Sequence, residues 1–164
     1  MATRHNDSPK YPNVVRVERN GSQTEFKSKL VAVRSFAKGE PIVAIEGHED
    51  AVKRWSSVQI DTDRHIELNS ELVFMNHSCN PSVNVETETM HIVAARDLKE
   101  GDELTFFYPS SEWEMSQPFA CWCGAETCIK QVSGAKDVPA AGLANKYLTP
   151  HIRALLAGRD KETL

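Results

Sequence analysis

The chain of 164 residues is 40% hydrophobic, carries a formal net charge of −4 and contains no apolar run near the roughly 18 residues that a membrane span needs. This is the composition of one ordinary globular domain, without the basic stripe that binding a phosphate backbone requires, so nucleic acid is not expected as the direct partner. The opening residues MATRHNDSPKYPN hold no apolar stretch that would serve as a secretory leader, so an intracellular protein of nucleus or cytoplasm is expected.

The first dozen residues, 1–12, are polar and predict a flexible N-terminus. Residues 15–18 and 24–33 read as strands joined at Asn20-Gly21, a dipeptide that accepts the positive φ of a hairpin turn. A turn over 37–40 leads into a short apolar strand at 41–45. Residues 46–57 are polar and weakly patterned and predict a loop. Short strands follow at 58–60 and 65–68, then an apolar stretch at 72–75, then a strand pair at 82–85 and 90–94. Residues 103–108 predict one more strand, ended by Pro109. Helix is expected only at the end. Asp137 is placed to cap a first helix carrying Leu143, Tyr147 and Leu148. Thr149 and Pro150 would open a second, with Ile152, Leu155 and Leu156 on one face and Gly158 as its stop. That face either packs on the domain or docks a partner.

The four cysteines are the most informative residues. Cys121, Cys123 and Cys128 form a C-x-C-x4-C cluster, and Cys79 stands upstream. Four thiols are the ligand number of a tetrahedral structural zinc site holding one ion, which would tie the C-terminal segment to the middle of the fold. The alternatives are two disulfides or four unrelated buried thiols. Against disulfides stands the poor geometry of a bridge between Cys121 and Cys123, and against both stands the tight loop that Gly124 allows around a metal.

Asn76-His77-Ser78-Cys79, then Glu103-Leu104-Thr105-Phe106-Phe107-Tyr108, then the cysteine cluster occur in this order. Together these strings resemble a SET-domain protein lysine methyltransferase with a post-SET zinc segment. The resemblance spans roughly residues 14–128 and leaves the C-terminal helices outside. It implies a SET-domain fold of small curved β-sheets with a knot-like crossing, in which residues 76–79 thread beneath the strand carrying Tyr108. The division it implies is a SET domain over 13–110, a zinc-stapled post-SET segment over 111–134 and C-terminal helices over 135–164. It further implies S-adenosylmethionine as cofactor and a protein substrate presenting a lysine, whose neutral amine takes the methyl group in a dry channel.

By the same resemblance, Tyr108 is the catalytic tyrosine. Lys29, Leu30, Asn76, His77 and Trp122 form the cofactor-binding set, with Trp122 closing over the adenine. Cys79, Cys121, Cys123 and Cys128 hold zinc. The residues also have plainer readings: Tyr108 as a core tyrosine ending a strand, His77 as a satisfied core histidine, and Trp122 as a ring packed beside the zinc. The chain departs from the family at Lys27-Ser28-Lys29, where glycines usually let backbone approach the cofactor. It departs again in a short peptide-docking insert before Asn76. The first departure motivates an alternative reading as a SET-like peptide-binding or scaffolding module without transferase activity. The second motivates a reading as an enzyme acting on a small metabolite.

Overall fold

The computed structural model describes residues 9–19 and 28–162, and the order of elements is that of a mainly β chain closed by helix. β1 (Val15–Arg19) and β2 (Ser28–Ala32) pair antiparallel, Val15 against Ala32 and Arg19 against Ser28. The Asn20-Gly21 turn expected between them and the first part of the expected second strand, residues 24–27, lie outside the described residues. So does most of the N-terminal segment expected to be flexible, residues 1–8. β3 (Pro41–Ala44) follows a turn in which Gly39 takes φ 85°, a conformation that a side chain would strain.

β3 joins β9 (His91–Ala94) and β8 (Val83–Glu86) in one antiparallel sheet. A second sheet has the order β4-β6-β5, from β4 (Glu49–Ala51), β5 (Ser57–Asp61) and β6 (Arg64–Glu67). The expected loop over 46–57 therefore contains a strand. β4 shows no apolar alternation because it is a sheet edge with little to bury. It is held by its ladder to β6 and by Arg64 on Asp50 at 2.9 Å.

Residues 71–74 wind into a 3-10 turn capped by the Ser70 hydroxyl, and the chain then enters β7 (Asn76–His77). β7 runs parallel to β10 (Thr105–Phe106), with Asn76 opposite Thr105 and His77 opposite Phe106. Two distant segments thus lie side by side, as the threaded crossing requires. The expected strand over 103–108 is shorter than predicted. Its first half bonds instead to β2: Glu103 bridges Val31, and the Leu104 N–H donates to the Leu30 carbonyl at 2.7 Å. At Tyr108 the chain turns into a 3-10 helix (Tyr108–Ser110), because Pro109 has no N–H to give a ladder. Buried Ser82 locks the crossing. Its Oγ donates to the Glu103 carbonyl at 2.7 Å and accepts the Thr105 N–H at 2.8 Å.

β11 (Phe119–Ala120) and β12 (Gln131–Val132) bracket the cysteine loop. Asp137 does not cap a helix; it ends a 3-10 turn, and α1 is a single turn (Ala140–Leu143). Tyr147 and Leu148 fall beyond it, since Asn145 takes φ 61° and breaks the helical path. α2 (Pro150–Glu162) is the one long helix among the described residues and runs through Gly158 without stopping.

The interior has two parts. The larger is built on β1–β9 around Leu30, Ile66, Leu72, Ile92 and Leu104. The smaller gathers Cys79, Phe107, Cys121, Val132, Val138, Leu143, Ile152 and Leu156. The apolar face of α2 is therefore packed, not free. The post-SET segment and the helices expected as separate units share one core, and Phe107, beside Tyr108, is part of it.

Candidate active site and metal centre

The parallel β7–β10 pair fixes the geometry of the candidate site. The Tyr108 hydroxyl donates to the Met75 carbonyl at 2.8 Å, so the end of one strand holds the ring that leaves the other. The Tyr108 N–H donates to His77 Nδ1 at 3.1 Å. Since Nδ1 accepts, the imidazole proton sits on Nε2, which faces the Cys79 sulfur at 3.3 Å. Burial and the nearby Lys146 ammonium push His77 down to about 4, so the ring stays neutral and this chain of bonds is kept. Burial first, then the carboxylates of Glu112 and Glu103, push Tyr108 up to about 12. At neutral pH it is a phenol, able to donate and to orient but not to act as a base.

Around this pair stand the other expected residues. Asn76 is exposed, and its amide donates to the Ser28 carbonyl at 3.0 Å and to Glu103 at 3.2 Å. Lys29 lies on β2 with its ammonium 3.7 Å from Glu18. Lys27 lies outside the described residues. Leu30 is 0% exposed, and its carbonyl is taken by Leu104, so it serves the core and offers a cofactor no accessible atom. Trp122 is 90% exposed: the ring does not pack beside the cysteines.

The ring that does reach the site is one the sequence reasoning missed. Phe119 stands 6.1 Å from both His77 and Tyr108, edge-on to each, while 40% exposed. Its sequence signal is an aromatic residue placed two positions before the first clustered cysteine.

The four cysteines converge as expected. Their sulfurs all lie within 4.8 Å of one another, and none is in a disulfide. Sulfurs around a tetrahedral zinc stand about 3.8 Å apart for bonds of roughly 2.3 Å; Cys79 and Cys121 are 3.9 Å apart. A disulfide would need about 2 Å. Burial pushes the Cys121 thiol up to about 12. Burial also opposes ionisation of Cys123, but backbone N–H groups and the neighbouring thiols overcome it and bring Cys123 down to about 6. Four thiols brought this close form a donor set that fits a soft divalent ion.

A further buried group adjoins the site. Glu112 accepts the Gln59 N–H at 2.9 Å, while the Gln59 side chain accepts the Trp113 N–H at 2.9 Å. Burial raises Glu112 to about 7, against the pull of that N–H and of Lys53. Its folded value lies above its unfolded one. Its protonated form therefore contributes stability that is complete below about pH 4.5 and lost as pH rises through about 7. Glu112→Gln keeps an acceptor for Gln59 and should raise stability above pH 7 by on the order of 2–3 kcal/mol, with little change at pH 4. Melting curves of both proteins across pH check this; a gain that is the same at every pH would show that burial of the charge is not the cause.

Residues 27–109, about half the chain, match the SET domain family model. A methyltransferase of Aspergillus flavus, flvH, is 47% identical over 110 residues, covering 66% of this chain and 62% of that protein. An H3 lysine-36-specific histone-lysine N-methyltransferase of Debaryomyces hansenii is 39% identical over 75 residues, 42% of this chain and 10% of that one. The histone-lysine N-methyltransferase Suv4-20 of Caenorhabditis elegans is 31% identical over 122 residues, 70% of this chain and 38% of that one. The chain thus spans less than two thirds of these relatives' own length. Among solved structures, Kryptonite in complex with mCHG DNA and SAH superposes with a TM-score of 0.52 at 22% identity, covering 71% of this chain and 28% of that one, a likeness of fold.

Proposed function

The chain belongs to the SET-domain family, and from that premise we propose that it transfers a methyl group from S-adenosylmethionine to the side-chain amine of lysine in a protein substrate. The observation that carries the reading is the Tyr108 hydroxyl, held by the Met75 carbonyl at the end of the β7–β10 pair and beside exposed Asn76. The relatives named as histone-lysine methyltransferases support a protein substrate, and a Kryptonite complex with an H3(1-15) peptide and SAH supports the same cofactor class.

The residues fit the cofactor as a group. Ser28, Asn76, His77, Phe119 and Tyr108 form a connected wall, joined by the Asn76–Ser28 hydrogen bond and the ring contacts of Phe119. Lys29 places a cation, and Glu18 and Glu103 place carboxylates, near the ends of that wall. When bound, S-adenosylmethionine supplies an electrophilic methyl group on a sulfonium. Tyr108, neutral and fixed, orients the incoming amine. Phe119 takes the covering role first expected of Trp122. Cys79, Cys121, Cys123 and Cys128 would hold one structural zinc, and the four converging free thiols support a reducing, intracellular compartment.

One observation favours a second reading, in which the amine belongs to a small molecule. Extended peptides dock by adding a strand to a free sheet edge. In the β4-β6-β5 sheet the outer edge of β5 is closed at Gln59 by Glu112 and Trp113, the opposite edge, β4, is three residues long, and the insert before Asn76 holds only three short strands and a single 3-10 turn.

Calorimetric titration of zinc-loaded protein with S-adenosylmethionine tests the proposal. Saturable binding at one site is expected. No binding, with zinc at one per chain, would overturn the transferase reading and leave a scaffolding module. Methyl transfer to small amines but to no lysine-containing protein would select the second reading.

A further inference from the structure

Lys146 lies in the C-terminal segment, beyond the residues that match the family model. Its ammonium touches parts of the site that are far apart in sequence. It donates to the carbonyl of Cys79, two residues past β7. It donates to Thr127 Oγ1 at 3.2 Å, inside the cysteine loop. It sits 5.1 Å from the ring centroid of Phe107, the residue before Tyr108. Asn145, with φ 61°, turns the chain just ahead of it. A cleft of about 400 Å³ bordered by Asn80, Thr127, Asn145 and Tyr147 opens beside it.

A divalent ion held by four thiolates leaves two net negative charges in a half-buried place. Such a centre is stabilised by cations and donors outside the ligands, and losing one of these partners typically costs 10–100-fold in metal affinity. The Cys79 sulfur already receives the Ile129 N–H at 3.5 Å and faces His77 Nε2. Among the described residues, the full positive charge bonded to this cysteine is Lys146, through the Cys79 carbonyl.

We infer that Lys146 is a positioning residue of the metal and cofactor site: its charge stabilises the thiolate centre, and its hydrogen bonds pin β7 and the cysteine loop to the C-terminal segment. The inference rests on the zinc reading of the four cysteines. It makes residues 139–147 a working part of the site, carrying a cation that the three sequence motifs do not contain. Phe107 completes the arrangement, because a ring stacks under an ammonium where a small polar side chain would not.

The test measures metal affinity by chelator competition, and the thiolate charge-transfer absorption of cobalt-loaded protein, in wild type, Lys146→Met, Lys146→Arg and Thr127→Val. Lys146→Met keeps the aliphatic stem and loses the charge. It should weaken zinc binding at least about tenfold and shift the cobalt bands. Lys146→Arg should recover most of that loss. Thr127 is exposed, so Thr127→Val does not threaten folding; it should cost a few-fold alone and add nothing to Lys146→Met, since the two share one bond. Equal loss in the Met and Arg variants would overturn the role of the charge, and full additivity with Thr127→Val would overturn the pinning of the cysteine loop through the shared bond. Wild-type affinity and spectrum in Lys146→Met would overturn the role of Lys146 while leaving the zinc reading intact. A wild-type chain that takes up neither metal would overturn both.

Discussion

Tyr108→Phe should reduce methyl transfer by about 100-fold or more while the fold and its zinc remain. The variant keeps the ring and so keeps its packing against Phe106, at 4.7 Å between centroids, and against Phe119 at 6.1 Å. It loses one neutral hydrogen bond, to the Met75 carbonyl. That costs about 1 kcal/mol of stability, or a few degrees of melting temperature for a chain of this size. The kinetic loss is larger because orientation is what the site supplies: a small misplacement of reacting groups costs on the order of 100-fold, near 2.7 kcal/mol of activation free energy. The phenol is pushed up to about 12, so it does not collect the substrate proton, and the pH–rate profile of the wild type should show no break from Tyr108 below pH 10. Steady-state rates on the identified substrate, with melting curves alongside, check both halves. Wild-type turnover in Tyr108→Phe would remove Tyr108 from its role.

The convergence of the four cysteines, the placement of Tyr108 against residues 75–77 and the β7–β10 pairing were legible in the sequence because each is tied to side-chain chemistry or fixed spacing. Four thiols can converge only if the chain brings residue 79 to residues 121–128, and they do converge. What escaped the sequence depends on tertiary packing. β4 carries an exposed polar sequence and becomes a strand through its ladder to β6. Leu30 looked like a cofactor residue by position, but its side chain belongs to the core. Trp122 and Phe119 are both aromatic and both near the cysteines. Phe119 lies on β11 opposite Val132 with its ring 6.1 Å from Tyr108, whereas Trp122 lies beyond that strand pair and is 90% exposed. Lys146 gave no signal, because its three contacts come from three segments far from it in sequence.

Removing the metal, or mutating Cys123→Ser, should have the largest effect on stability, centred on the C-terminal third. Cys79 and Cys121 are buried, so replacing either also removes packing. Cys123 is exposed, so replacing it removes a donor sulfur with little loss of packing. Structural zinc contributes on the order of 10–16 kcal/mol of apparent binding free energy, comparable with or larger than the whole stability of a typical domain of about 5–15 kcal/mol. The smaller core has little else to close it: short β11 and β12, one turn of α1 and one face of α2 surround the cysteines. The larger core contains none of the four cysteines. Hydrogen exchange should therefore show amides of residues 119–158 losing protection in Cys123→Ser or after chelation, while those of β8 and β9 keep theirs. Phe107 lies in the core that loosens, so Tyr108 should lose its fixed orientation as well, and cofactor affinity should fall together with the zinc content. Unchanged protection after complete loss of zinc would mean that apolar packing alone holds the C-terminal segment, and that the four sulfurs have another use.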